Sequence, residues 1–331
     1  MQLKYFLKPM QSILARGKAQ FRFVAKYGSR YLELGVLKQH PPREWSQEHF
    51  PAKKSPQKLK ISIVTPSFNQ GAFIEETILS VLNQNYSNLE YIIQDGLSND
   101  STSTVLSKYQ DRAIIDIRKD GGQTAALNLG FAKATGEILA YLNSDDLLSQ
   151  GTLEYVNYIF NQYPDVDVIY GNRLIIDENS KLIGRWVLGG YDRDHLTKVD
   201  YVPQETMFWR RRAWDKIGAH FDESFRFAMD WELISRFIKY ELKFMHLPYF
   251  LGIFRVHSAQ KTTTQNEQIG HKECLRIMRE FHGEKASIEM LIEALQSYAK
   301  ICAVNSLALD LFNIRISKNM PRLGNLIFFW R

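Results

Sequence analysis

Only two cysteines, Cys274 and Cys302, occur in 331 residues. That is too few for a disulfide framework or a cysteine-based zinc site, and it fits a reducing, cytoplasmic setting. No apolar run approaches the roughly 18 residues of a membrane-spanning helix. The N-terminus also has no continuous apolar segment with a small-residue cleavage site, so no secretory signal is expected. Two nucleotide signatures are missing as well. Without G-x-x-x-x-G-K-[ST] the chain is not a P-loop ATPase, and without G-x-G-x-x-G after the first strand it is not a dinucleotide dehydrogenase. With 45% hydrophobic and 24% charged residues, the composition is that of a globular enzyme rather than a disordered chain.

The net charge of +6 is unevenly placed. The first 60 residues carry 13 Lys and Arg against three Glu and no Asp, so the remaining chain is mildly acidic. A nucleic-acid enzyme concentrates positive charge around its working cleft; no nucleic-acid partner is expected here. Within residues 1–26, Met10, Ile13, Leu14, Phe21 and Val24 fall at helical spacing among Arg16, Lys18, Arg22 and Lys26. Such a basic amphipathic helix either lies on an anionic membrane surface or packs on the body of the protein. A Pro- and Lys-containing stretch then reads as a linker, which divides the chain into an extension (1–59), a central domain (60–264) and a helical C-terminal region (265–331) ending in Ile327-Phe328-Phe329-Trp330.

In the central region, strand-like runs alternate with helical patterns. Lys60–Thr65 reads as a buried strand stopped by Pro66, followed by a helix with Ile74, Ile78, Val81 and Leu82 on one face. Further strands are read at Leu89–Ile93, Ala113–Ile117 and Ile138–Leu142, with a helix carrying Leu127, Gly130, Phe131 and Ala134 before the last. This alternation predicts an α/β fold with a mostly parallel sheet sandwiched by helices. Ligands of such sheets bind beyond the carboxyl ends of the strands. Those ends carry Ser67-Phe68-Asn69, Asp95, Lys119-Asp120-Gly121-Gly122-Gln123 and Asp145-Asp146. The consecutive aspartates are either a site for a hard divalent cation or turn and cap chemistry. Asp95 likewise reads as a ligand contact or as a turn, with Asp100 or Ser101 capping the next helix.

Thr65-Pro66-Ser67-Phe68-Asn69, Asp95-Gly96-Leu97-Ser98-Asn99-Asp100 and Asn143-Ser144-Asp145-Asp146 together resemble the family 2 glycosyltransferases. So do Gly218-Ala219-His220-Phe221-Asp222-Glu223 and Ala228-Met229-Asp230-Trp231-Glu232-Leu233 on the acceptor side. The resemblance spans about residues 60–261 and implies a GT-A fold and an inverting transfer from a nucleotide sugar, UDP-linked by preference. It implies donor contacts at Thr65, Pro66, Ser67, Asn69, Asp95, Gln123, Asn128 and Asp145. It further implies an Mn²⁺ or Mg²⁺ ligand at Asp146, with His257 as a third-ligand candidate, and Asp230 as general base. Two departures stand out: Met229 replaces the Glu of the family's Glu-Asp pair, and Asn143-Ser144 precedes the aspartates in place of a strict D-x-D.

The spacing supports the base assignment, because Asp230 opens a helix whose Ile234, Phe237 and Ile238 face inward; an N-cap role is compatible with it. Gln204, Glu205, Tyr201 and Trp231 are acceptor-pocket candidates. Arg210-Arg211-Arg212 reads as a solvated face or as a source of one anion-binding arginine. The expected acceptor is a glycan or lipid-linked oligosaccharide at the inner face of the cytoplasmic membrane. Three rivals are a non-catalytic sugar-nucleotide or glycan-binding protein of the same fold, a nucleotidyltransferase, and a nucleic-acid binder acting through residues 1–60. The nucleotidyltransferase needs a Gly-rich basic loop after the first strand, which Ser67-Phe68-Asn69-Gln70-Gly71 does not supply.

Overall fold

The computed structural model describes residues 37–46, 50, 55, 57–258 and 269–312. The amphipathic stretch 1–26, Lys261 and the aromatic C-terminus lie outside the described residues. Among the described residues, no helix is long and apolar enough to cross a membrane.

The alternation seen in the sequence builds one half of the molecule. In order come β1 (Ile61–Ser67), α1 (Ile74–Leu82), β2 (Leu89–Asp95), α2 (Thr102–Ser107), β3 (Ile114–Ile117), α3 (Gln123–Phe131) and β4 (Ile138–Tyr141). The four strands are parallel in the order β3-β2-β1-β4. β1 is buried along its whole length, as expected for a parallel strand covered on both faces. Ile63, Tyr91 and Ile93 pack with α1 on one side, and Val64 and Ile92 pack with Leu127 and Phe131 of α3 on the other. Gly130 lets α3 approach closely: a Cβ there would lie 2.4 Å from Val64 Cγ1.

Pro66 does not stop β1, which runs on to Ser67. Pairing with β4 ends at Val64, so β1 is an edge strand beyond that point and the missing N–H of Pro66 leaves that part of the ladder intact. Thr65 and Pro66 are therefore both strand, and the sheet edge lies at the register pair Ser67 and Asp95.

The other half comprises β5 (Leu147–Leu148), α4 (Thr152–Gln162), β6 (Val168–Ile176), β7 (Leu182–Trp186), α5 (Arg193–Leu196), β8 (Phe208–Arg210), α6 (Arg211–Lys216), α7 (Met229–Lys239) and β9 (Phe244–Arg255). β8 lies antiparallel between β4 and β6, which joins the halves into one nine-stranded sheet. β9 runs parallel to β6 through to Arg255, and so delivers its C-terminal end beside the turn after β4. α8 (His271–His282) and α9 (Ile288–Phe312) pack through Ile277, Met278, Tyr298 and Ala299 on the cluster that contains α7.

The three consecutive arginines serve this junction: Arg210 and Arg211 are half-buried, while Arg212 keeps the exposure of a solvated face. Arg210 donates to Val166 O and Phe160 O, both at 2.7 Å. Arg211 donates to Gly136 O at 2.7 Å and Ala134 O at 2.8 Å, and Arg212 to Asp167 and Pro164 O, both at 2.8 Å. The guanidiniums thus take up a carbonyl of the last turn of α4 and carbonyls of the loops that follow α3 and α4.

Candidate active site

At the carboxyl edge, the loops after β1 and β2 are tied together. Asp95 is fully buried; it accepts from the Ser98 N–H at 2.8 Å and from Ser98 Oγ at 2.6 Å. Ser98 Oγ also accepts from the Asn69 N–H at 2.8 Å, and Asn69 Oδ1 accepts from the Asn99 N–H at 2.9 Å. Asn69 adopts a left-handed φ of 53° to make this clasp. Asp100 caps α2 by accepting from the Thr102 N–H, and its other oxygen accepts from the Gly71 N–H. Ser67 Oγ is buried beside Asp95 without a partner.

The turn after β4 carries the consecutive aspartates. Asp146 is buried; its Oδ1 accepts from the Arg255 N–H at 3.0 Å, while Oδ2 has a long 3.5 Å contact with Asn143 Nδ2. Burial holds its carboxyl well above the usual range, and the charges of Asp145 and Glu205 add to this. Asp145 Oδ2 meets His257 Nε2 at 3.0 Å, and the imidazole packs on Phe73 with ring centroids 4.5 Å apart. Gln123, just after Gly122 at a φ of 109°, donates to Asn143 Oδ1 at 2.7 Å. Asn143 in turn donates to Gln204 Oε1 at 3.1 Å, and Gln204 donates to Tyr141 O at 2.5 Å. This polar chain connects the donor-side loops to the segment that carries Gln204 and Glu205.

Beyond it lies an acidic group around one cation. Glu205 is buried and pairs with both faces of the Arg173 fork, with the Nε bond at 2.8 Å. Burial alone would lower the Arg173 guanidinium; Glu205, Asp146 and Asp200 together raise it instead. Half-buried Asp230, in the first turn of α7, donates nothing and accepts from the Trp231 N–H at 2.9 Å. Burial raises its carboxyl, opposed by that N–H and by Arg173 and reinforced by Glu205. Burial also raises Asp200, as does the charge of Asp230. The phenol of Tyr141 is raised by burial and then by Asp230, Asp200, Asp146 and Glu205, so one hydroxyl lies in the field of all four.

Asp200 is absent from the sequence-derived candidates because it stands in no recognisable motif; its one signal is an acid beside the apolar Tyr201-Val202. Its position also bears on the Met229 departure. Met229 is a core residue whose sulfur accepts from Thr124 Oγ1. Position 229 thus brings no acid beside Asp230, whose charge instead reaches Asp200, thirty residues earlier in the chain.

Several candidates point elsewhere. Thr65 Oγ1 is buried against Tyr91 Oη at 3.0 Å inside the sheet. Trp231 is in the core and donates to Leu196 O at 2.8 Å, while Tyr201 stacks on Tyr298 at 3.8 Å. Neither ring is offered to an acceptor. Asn128 joins α3 to the 221–223 loop: its Oδ1 accepts from the Phe221 N–H at 2.7 Å, and its Nδ2 donates to Phe221 O at 3.1 Å and Glu223 Oε1 at 2.9 Å. Its bonds are those of a strut rather than a donor contact. Asn128→Ala is expected to destabilise the fold by about 1–3 kcal/mol, read by thermal unfolding, with UDP affinity unchanged.

Whether the edge suits a divalent cation turns on its donor set. Carboxylate oxygens suit Mn²⁺ or Mg²⁺ whereas imidazole suits softer ions, and Oδ2 of Asp146 has only its long contact with Asn143. Among the described residues, no three such groups converge as a closed metal cage.

Comparison with known proteins agrees with this layout. Residues 62–256 match the family described as glycosyl transferase family 2. An uncharacterized glycosyltransferase of Rickettsia typhi is 29% identical over 225 residues, which cover 65% of this chain and 70% of that one. A PGL/p-HBAD biosynthesis glycosyltransferase of Mycobacterium bovis is 28% identical over 180 residues, 53% of this chain and 68% of that one. Among solved structures, S. aureus TarS 1–349 in complex with UDP-GlcNAc superposes with a TM-score of 0.54 at 16% identity, covering 76% of each chain. That likeness shows the GT-A fold.

Proposed function

Since the chain belongs to glycosyl transferase family 2, we propose that it moves a sugar from a UDP-sugar to a hydroxyl of a glycan or lipid-linked oligosaccharide, with inversion at the anomeric carbon. One observation carries this reading: the polar chain Gln123–Asn143–Gln204 links the Asp145-Asp146 turn to the segment of Glu205, whose charge reaches Asp230. UDP is favoured on two grounds. Asp95 stands at the position that, by the family resemblance, reads the uracil edge, and TarS, which shares the fold, is described in complex with UDP-GlcNAc.

In the proposed reaction, Ser67, Asn69 and Asp95 receive the nucleoside, and Gln123 and Asp145 border the diphosphate. Asp146 would hold Mn²⁺ or Mg²⁺, with Asp145 and the imidazole of His257 beside it. Such a cation, when bound, offsets the charge that develops on the departing diphosphate. Asp230 accepts the proton of the acceptor hydroxyl as that oxygen attacks from the face opposite the leaving group. A carboxyl raised by burial is a stronger base once ionised, which suits this task near neutral pH. Glu205 orients Arg173 rather than touching the acceptor. The basic residues 1–26 would bring the enzyme to the cytoplasmic membrane face, where lipid-linked acceptors are found.

The test is release of nucleoside diphosphate from UDP-, GDP- and dTDP-sugars, with Mn²⁺ and with chelator. Slow release of UDP that depends on the metal is the expected result. Absence of both release and nucleotide binding across the panel overturns the donor site. UDP binding without turnover, in any acceptor mixture, points to the non-catalytic reading.

A further inference from the structure

We propose that Glu273, on α8, is a positioning residue for Asp230: its carboxylate holds the three backbone N–H groups that lead into α7 and so sets where the base stands. That role rests on the reading of Asp230 as general base and extends the working part of the chain beyond residues 62–256, the span that matches the family.

α7 begins without a capping side chain of its own. Its N-cap is Ala228, which has no side-chain oxygen, and Asp230 lies in its first turn. The hold on its start comes instead from the first turn of α8. Buried Glu273 accepts through Oε1 from the Arg226 N–H at 2.9 Å, and through Oε2 from the Phe227 N–H at 2.9 Å and the Ala228 N–H at 2.8 Å. One turn on, Arg276 grips the same segment. Its Nη1 donates to Ser224 Oγ at 2.7 Å, its Nη2 to Asp222 Oδ2 at 3.3 Å, and the guanidinium lies 4.2 Å from the Phe225 ring centroid. α3 holds the segment as well, through Thr124 Oγ1, which donates to Phe225 O at 2.9 Å. Residues 222–228 are therefore clasped both by the helix that opens with Gln123 and by α8, and α7 starts from that clasp.

Two observations separate this from ordinary packing. α8 is already docked through Ile277 and Met278, which are wholly buried in the cluster that contains α7. Docking the helix does not require a buried carboxylate, which is costly unless its hydrogen bonds are made; here they are all made to one short segment. Second, Ala228 O accepts the Glu232 N–H at 2.9 Å, which closes the first helical turn around Asp230. A shift of the held amides is thus passed to Asp230 as a movement of the whole turn. The thiol of Cys274, next to Glu273, is pushed up to about 12 by burial and by the charges of Asp200, Asp230 and Glu273, so this turn of α8 stands within the field of the acidic group. A displacement of about 1 Å at a reacting group, caused away from the chemistry, can cost about 10²-fold in rate.

The test is single-turnover release of UDP from radiolabelled UDP-glucose and UDP-GlcNAc, with the full-length enzyme in excess and water as acceptor. The maximal rate reports the chemical step, and half-saturating enzyme reports the donor site. Glu273→Gln cannot serve all three amides, because its Nε2 donates and does not accept. It is expected to lower the maximal rate about 10–10²-fold, with half-saturation at the wild-type value. Added to Asp230→Asn it should cost nothing further, since a residue that acts through the base is silent once the base is gone. Arg276→Ala, at a side chain 50% exposed, loosens the same segment without changing a buried group; it should show a smaller loss and the same silence. A wild-type rate in Glu273→Gln, or equal losses with and without the Asp230 carboxylate, overturns the positioning role while the base stands. A wild-type rate in Asp230→Asn overturns the base reading, and absence of release by the wild type overturns the donor site; either takes this role with it.

Discussion

Asp146→Asn is expected to reduce metal-dependent UDP release on the order of 10²–10³-fold, the several kcal/mol that a bound cation contributes to charge stabilisation. Asparagine is the informative replacement. Its carbonyl can still accept the Arg255 N–H that Asp146 Oδ1 accepts at 3.0 Å, so the turn keeps its shape and only the charge is lost. Burial and the charges of Asp145 and Glu205 hold the Asp146 carboxyl well above its usual range. Removing that charge relieves repulsion, so the chelated variant should unfold at no lower temperature than wild type. Lost turnover with unimpaired folding assigns Asp146 to the reaction. Release that persists in chelator and in Asp146→Asn alike would place the diphosphate on protein groups alone.

The parallel half was legible because strand and helix alternate strictly through it, even where β4 crosses back to lie beside β1, and periodicity reports such local units well. The acidic edge was legible for the same reason, since Asp95 and Asp145-Asp146 end strands that the pattern had placed. The second half was not, because β8 inserts between β4 and β6 and β9 returns to lie beside β6. Such pairings join segments far apart in sequence and leave no local period. Side-chain direction was equally hidden. Thr65 lies two residues short of the true edge, and its hydroxyl is taken by Tyr91. Asn128 sits in the donor-side segment but turns toward Phe221. Arg210 and Arg211 look like part of a solvated run until the carbonyls of α4 and of the loop after α3 are placed around them. The family resemblance located Asp230, but only the fold brings Asp200 into its field.

That pairing makes Asp230→Asn the sharpest test of the mechanism. Without the carboxylate, transfer to an acceptor should fall about 10²–10⁴-fold, the usual contribution of a positioned base, while UDP binding remains. The pH profile then distinguishes a base from a mere anchor. Asp230 is raised above its ordinary value by burial, so it gains its charge only at a pH above the ordinary carboxylate range of about 4. Activity should rise through that higher pH on the acidic limb. The charge of Asp230 raises Asp200, so Asp230 ionises first with Asp200 still protonated, and Asp200→Asn should leave the acidic limb in place. Stability runs the opposite way. Because the folded-state carboxyls are raised, the native state holds protons that the unfolded chain releases. Their contribution is full below the ordinary carboxylate pKa and is lost as pH rises through the raised values. Asp200→Asn should therefore flatten this decline and unfold at a higher temperature than wild type at neutral pH. An acidic limb that persists unchanged in the residual activity of Asp230→Asn would move the base to another group.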